Sequence, residues 1–158
     1  MVSTPAELVV AAAAATRTRI AAAESLTAGM VAAELGTVPG ASAVLQGGVV
    51  AYQNSVKESV LGVDGSLLQA AGSVDARVAE QMAAGVRRLL DAEIGISTTG
   101  VAGPEPHDGK PVGTVFIGVA AASVSSAREF HFTGDRASIR SQACAAALDL
   151  LAVELGAA

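Results

Sequence analysis

The chain predicts an α/β domain: a sheet of about five or six strands flanked on both faces by helices, mostly parallel, with an antiparallel hairpin at one edge. Three observations carry this. Short apolar runs alternate with longer, alanine-rich segments of helical period. Two of the runs lead directly into the turn sequences AESLTAG and TTGVAGP, hydroxyl- and glycine-rich ends of the kind on which α/β folds build sites. Two further runs, 113–121 and 127–132, are separated only by a short serine-rich turn and must therefore be antiparallel neighbours.

Taken in order, Ser3 or Thr4 caps a first helix with Pro5 at its first position, continuing through the alanines to about Thr16. Residues 19–23 read as the first strand, which hands over through 23–30 to a helix reaching about Leu35, with Ser25 or Thr27 at the cap. Such a turn, Ser25 to Gly29, leaves free backbone N–H groups and a positive dipole end, a seat for phosphate or carboxylate. After the Pro39-Gly40 turn, 44–52 reads as a strand in which Gly47-Gly48 suggests a bulge or a close backbone approach. Asn54 then caps a helix that has Ser55 first and Lys57 third.

Residues 62–72 combine turns with a short helical piece. Ser73-Val74-Asp75 opens a helix in which Val78, Met82, Val86, Leu89 and Leu90 recur at helical spacing and Arg77, Glu80, Arg87 and Arg88 face outward. The strand 93–98 runs into Thr98, Thr99 and Gly100, placing hydroxyls and a glycine backbone at the carboxyl end of the sheet. His107, in the loop 104–111, has no partner at ligand spacing and reads as an exposed histidine. The last helix runs from Arg136 to about Leu155, with Ile139, Ala143, Ala146, Ala147, Leu150 and Leu151 as its inward stripe.

Composition narrows the function. The 158 residues fit one domain, 1–158, large enough for a real core. A net charge of −5 and ten scattered cations argue against a nucleic-acid groove, which needs clustered Lys and Arg. The single Cys144 excludes an intrachain disulfide and reads as a small core residue; with two histidines there is no zinc set, so no metal is expected. Pro5 and Glu7 interrupt any leader pattern and the alanines 11–15 are too few to span a bilayer, so a soluble, cytoplasmic protein without a membrane partner is expected. Pairing of apolar segments such as 113–121 across a two-fold axis would give a homodimer.

The unusual chemistry gathers between residues 40 and 61, which hold Ser42, the only tyrosine, Tyr52, and one of two lysines, Lys57. An ammonium in the first turn of a helix is electrostatically misplaced, which makes Lys57 a candidate general base, and Ser42 a candidate nucleophile one strand earlier. Arg136 and Arg140 lie one turn apart near a helix start, where they are equally misplaced, and hint at an anionic ligand.

Several of these strings, in one order and over nearly the whole chain, resemble the CinA C-terminal domain family, whose stand-alone members include nicotinamide-nucleotide amidases: AESLTAG, PGASAV, GGVVAYQNSVKESVLGV, SVDARVAEQMAAG, TTGVAGP, KPVGTVFIGVA and GDRASIRSQA. The resemblance implies a three-layer α/β/α sandwich that hydrolyses the carboxamide of nicotinamide mononucleotide to nicotinic acid mononucleotide and ammonia, with no metal or other cofactor. By position it puts the nucleophile on Ser42 and the lysine on Lys57, with Tyr52 and Thr99 lining the centre and Arg136 as the arginine of the GDR motif. Ser25 competes with Ser42; as a helix-start residue it is the better cap or anion holder, and Ser42 is the expected nucleophile. Oxyanion donors are then expected near Ser42 or Gly47-Gly48 with help from Thr99, and phosphate near Ser25, Thr27 and Gly29 or near Arg136 and Arg140. The chain departs from the family's TGG at Thr27-Ala28-Gly29, a mild change if Ala28 keeps negative φ, and has a shorter loop after AGP. The rival reading is a module that binds a nucleotide without turning it over.

Overall fold

The computed structural model describes residues 2–158. Helix α1 (Pro5–Thr16) starts as its sequence dictates: Thr4 Oγ1 accepts from the Glu7 N–H while the Glu7 carboxylate accepts from the Thr4 N–H, and Pro5 occupies the first helical position. Strand β1 (Ile20–Glu24) follows, then α2 (Met30–Gly36), a 3-10 turn (Ala41–Ala43), β2 (Leu45–Val50), the short helices α3 (Asn54–Ser59) and α4 (Gly65–Ala71), α5 (Ala76–Leu89), β3 (Ile94–Gly100), β4 (Thr114–Ala120), β5 (Ser125–His131) and α6 (Arg136–Glu154).

The five strands form one sheet in the order β2-β1-β3-β4-β5. β1 pairs parallel with β2 and β3, while β4 is antiparallel to both β3 and β5. β4 alone therefore runs against the other four. It is an interior strand, buried along its whole length, so the expected two-fold pairing through 113–121 has no free edge to use; the sheet edges are β2 and β5. A one-residue bulge falls at Gln46, between the pairs Ile20–Leu45 and Ala21–Gly47, just before the predicted Gly-Gly position.

Alternate residues of the strands feed two cores. Ile20, Ala22, Ile94, Ile96, Val115 and Ile117 pack under α1, α2 and α6. Ala21 and Ala23 face Val78, Met82 and Val86 of α5, with Leu61, Val63 and Leu68 closing that side. Three layers result. On the second face α5 comes unusually close: the Ser97 hydroxyl donates to the Ala79 carbonyl at 2.6 Å, and a methyl group added at Gly95 would run into the Ala83 carbonyl. From β1 the chain goes by α2 to β2 on one side, then returns through α5 to β3 on the other. That reversal opens a crevice at the carboxyl ends of β1 and β3, where such folds bind ligands.

Candidate active site

β1 ends in Glu24, buried and carrying the first surprise. Its carboxylate accepts from the backbone N–H groups of Val31 (2.8 Å) and Ala32 (3.1 Å) and from the Thr27 hydroxyl (2.6 Å), which also meets the Thr98 hydroxyl at 2.7 Å. The positive start of α2 is thus filled by the chain's own anion. The phosphate seat expected at Ser25, Thr27 and Gly29 is occupied, and neither Ser25 nor Thr27 caps the helix, whose N-cap is Gly29. Ala28 has φ 47, in the left-handed region, not the negative φ that would make it an easy replacement for glycine.

Ser25 stands free of that cap and meets Lys57. Lys57, 1% exposed, donates from Nζ to the carbonyls of Ala51 (2.8 Å) and Tyr52 (3.0 Å) and lies 3.0 Å from Ser25 Oγ. Asn54 is the first residue of α3, Gln53 is its N-cap, and Lys57 is already in the last turn of this six-residue helix. The cause of its unusual chemistry is therefore desolvation rather than a helix dipole: burial pulls its pKa down to about 8, partly offset by the negative charge of Asp108. Two carbonyls and one hydroxyl suit an amine that gives two protons and turns its lone pair to Ser25.

A cavity of about 300 Å³ opens in front of Ser25, walled by Leu26, Tyr52, Ser73, Val101 and Arg136. Gly100 also lines it, as do the loop residues Glu105 and His107. The Arg136 guanidinium bonds the Tyr52 hydroxyl at 2.8 Å and the Gly103 carbonyl, not Asp135 or Glu129. Arg140 is not in the wall. It donates to the carbonyls of Leu26 (2.8 Å) and Thr27 (3.4 Å), pinning the loop that carries Ser25. Thr99 lies behind the wall as well; its hydroxyl donates to the Ser73 carbonyl at 2.8 Å.

Ser42 is not brought to Lys57 within this chain. It lies exposed on the turn before β2, whereas Ser25 follows β1 at the far end of the parallel β1–β2 pair. The six residues of β2 alone separate these ends by roughly 20 Å. Gly47 and Gly48 are mid-strand ladder residues, paired with Ala21 and Ala22, and do not reach the cavity. Among the described residues no three His, Cys, Asp or Glu side chains gather as a metal site, and no helix is long and apolar enough to cross a membrane.

This arrangement has relatives. The family model of the CinA C-terminal domain matches residues 2–155. The chain belongs to that family. A CinA-like protein from Frankia casuarinae is 52% identical over 132 residues, and one from Anaeromyxobacter sp. is 51% identical over 152. These matches cover 84% and 94% of this chain but only 30% and 37% of the relatives, so the CinA domain here spans about a third of their length. Among solved structures, a competence-damaged protein (CinA) superfamily protein from Klebsiella pneumoniae superposes with a TM-score of 0.93 at 31% identity, covering 96% of both chains. A competence/damage inducible protein from Agrobacterium tumefaciens gives 0.90 at 30% identity over 99% of both.

Three residues of this CinA domain escape sequence reasoning. Glu24 carries a faint signal, a charged residue closing an apolar strand. Ser73 reads there only as the opening of a helix, yet it lines the cavity. His107 is exposed, as the sequence suggests, but it also lines the cavity, with Nε2 3.2 Å from Asp108 Oδ2.

Proposed function

We propose that the chain hydrolyses the carboxamide of nicotinamide mononucleotide to nicotinic acid mononucleotide and ammonia, with Ser25 as nucleophile and Lys57 as general base. The observation that carries this is the buried Lys57 amine held by two carbonyls against the Ser25 hydroxyl. The substrate follows from the family's stand-alone amidases. Neutral Lys57 takes the Ser25 proton as Oγ attacks the carboxamide carbon, then returns it to the nitrogen as the C–N bond breaks and ammonia leaves. Water attacks the resulting ester by the same exchange, giving up its proton to Lys57, which passes it to Ser25 Oγ as the acid departs.

The tetrahedral oxyanion needs fixed donors. The backbone N–H groups of Leu26 and Thr27, next to the nucleophile, find no acceptor among the described residues. Arg140 holds the carbonyls of both residues and so fixes the peptides that carry these donors. Arg136 is the cation in the cavity wall, and its guanidinium has donors to spare for the phosphate after serving Tyr52 and Gly103. A cavity of about 300 Å³ is of the size that takes a mononucleotide.

The test is to incubate the purified chain with nicotinamide mononucleotide and follow ammonia and the acid product. Release that disappears in Ser25→Ala and persists in Ser42→Ala supports the reading. Binding without ammonia at high protein concentration would overturn it in favour of a nucleotide-binding module.

A further inference from the structure

Two opposite charges line the cavity and do not meet. Arg136 spends its guanidinium on the Tyr52 hydroxyl and the Gly103 carbonyl. Glu105 enters no ion pair among the described residues, although it lines the same space in front of Ser25. The other basic group of the wall, His107, is taken by Asp108, and the loop's own cation, Lys110, is turned to the Phe116 ring, 6.0 Å from its centroid. A carboxylate on an exposed loop is ordinarily just solvated. This loop, however, is pinned on both sides of Glu105. Arg136 holds Gly103, His107 and Lys110 exchange backbone bonds at 3.1 and 2.8 Å, and Asp108 Oδ2 accepts from the Ser73 N–H at 3.1 Å. Between these anchors Glu105 stands between Pro104 and Pro106, whose rings fix their own φ and bias the residue before them to extended backbone. Glu105 and Gly103 are two residues apart, so the backbone bearing the anion lies within about 7 Å of the residue that the cation holds. A group fixed in this way costs a ligand less to engage than a mobile one.

We propose that Glu105 is a specificity-determining residue: its carboxylate receives the positively charged pyridinium ring of the substrate while Arg136 takes the phosphate. This rests on the reading of the site as a nicotinamide mononucleotide amidase and says how that substrate is told apart from uncharged amides. Nicotinamide joined to ribose through its ring nitrogen carries a fixed positive charge on the ring, and the phosphate at the other end of the molecule is anionic. A cavity that keeps one anion and one cation apart matches such a dipolar ligand at both ends. Free nicotinamide offers it neither charge.

The test compares nicotinamide mononucleotide with its reduced form, in which one added hydride leaves the ring uncharged and the phosphate unchanged. Binding is measured by calorimetry on full-length Ser25→Ala, so that no turnover intervenes, with and without Glu105→Gln. The second substitution should weaken the charged form roughly threefold to fivefold and leave the reduced form unmoved, a difference that fades in high salt. Glu105→Ala should do the same should the glutamine variant not fold. With Ser25 intact, Glu105→Gln should raise KM for the charged form by the same factor at unchanged kcat. A charged form that binds equally well without the carboxylate, or an equal loss for both forms, overturns the assignment of Glu105 alone. Binding of neither form to Ser25→Ala overturns that assignment together with the substrate. A wild-type chain that releases no ammonia, while the charged form still loses affinity selectively in Glu105→Gln, overturns the amidase reading instead and leaves the recognition of the ring standing.

Discussion

At Lys57 the sign of the pH dependence can be worked out. In the proposed mechanism Lys57 must be neutral to accept a proton, and burial places its pKa at about 8, so the proposed turnover of nicotinamide mononucleotide should rise with pH along a single ionisation near 8 and level off above it. Lys57→Arg should be nearly as inactive as Lys57→Met, because guanidinium cannot accept a proton in this range. A lysine that only held an anion would tolerate arginine. Ser25→Ala should cost several orders of magnitude in kcat, while Ser42→Ala, on an exposed turn, should stay within about twofold of the parent. The sequence singles out Arg136 as a cation at a helix start, where it does stand, and Tyr52 through the family resemblance. Lys57 it singles out for the same misplacement, although that lysine sits in the last turn of α3 and owes its chemistry to burial. It did not make the partner of Lys57 legible. Ser25 and Ser42 are both serines in turns, and only the parallel pairing of β1 with β2 carries one of them to the lysine and the other to the far end.

Among the elements, the start of α2 shows how a local motif misleads. AESLTAG has the hydroxyls and glycine of an anion site, but the anion is Glu24, and a buried carboxylate seven residues before Val31 has no periodic signature. The same turn holds Ala28 at φ 47, so Ala28→Gly should relieve left-handed strain and raise stability by up to about 1 kcal/mol in chemical denaturation. The opposite holds under α5. Gly95→Ala drives a methyl group into the Ala83 carbonyl and should destabilise by about 2–3 kcal/mol, since neither backbone can give way without moving the helix off the sheet. Helices α1, α5 and α6 were legible because each carries both an N-cap residue and an apolar stripe. α3 begins one residue earlier than Asn54 suggests, because Gln53 takes the cap position without a side-chain bond and so leaves no sequence mark.

Across the whole molecule, the cost of keeping Lys57 buried should be visible in global stability. Its folded pKa, about 8, lies below the 10.5 of a free lysine, so between these values the unfolded chain binds more protons than the folded one. Stability should then climb with pH across that interval, and below it the full penalty applies, at most about 3 kcal/mol. Unfolding free energies of the wild type and Lys57→Met at pH 7 and pH 10 should therefore converge or cross in favour of the wild type at the higher pH. A constant difference would mean that Lys57 titrates normally. The architecture at this scale was legible from the alternation of runs and the 113–132 hairpin, and its two-layer helix cover from alanine-rich helical stripes. An all-apolar strand fits a sheet interior as well as an interface, and β4 is the former, so 113–121 itself offers no edge for two-fold pairing.

Tyr52 gives the molecule an optical property that follows from where it stands. The chain has no tryptophan and a single tyrosine, and that tyrosine lines the cavity, half exposed and bonded to Arg136. Near-ultraviolet absorbance and intrinsic emission above the phenylalanine background thus originate from one ring at the cavity mouth. An anion that draws Arg136 away from the phenol should change that signal, so occupancy of the cavity can be followed by tyrosine fluorescence in the unmodified protein, without a label and without turnover.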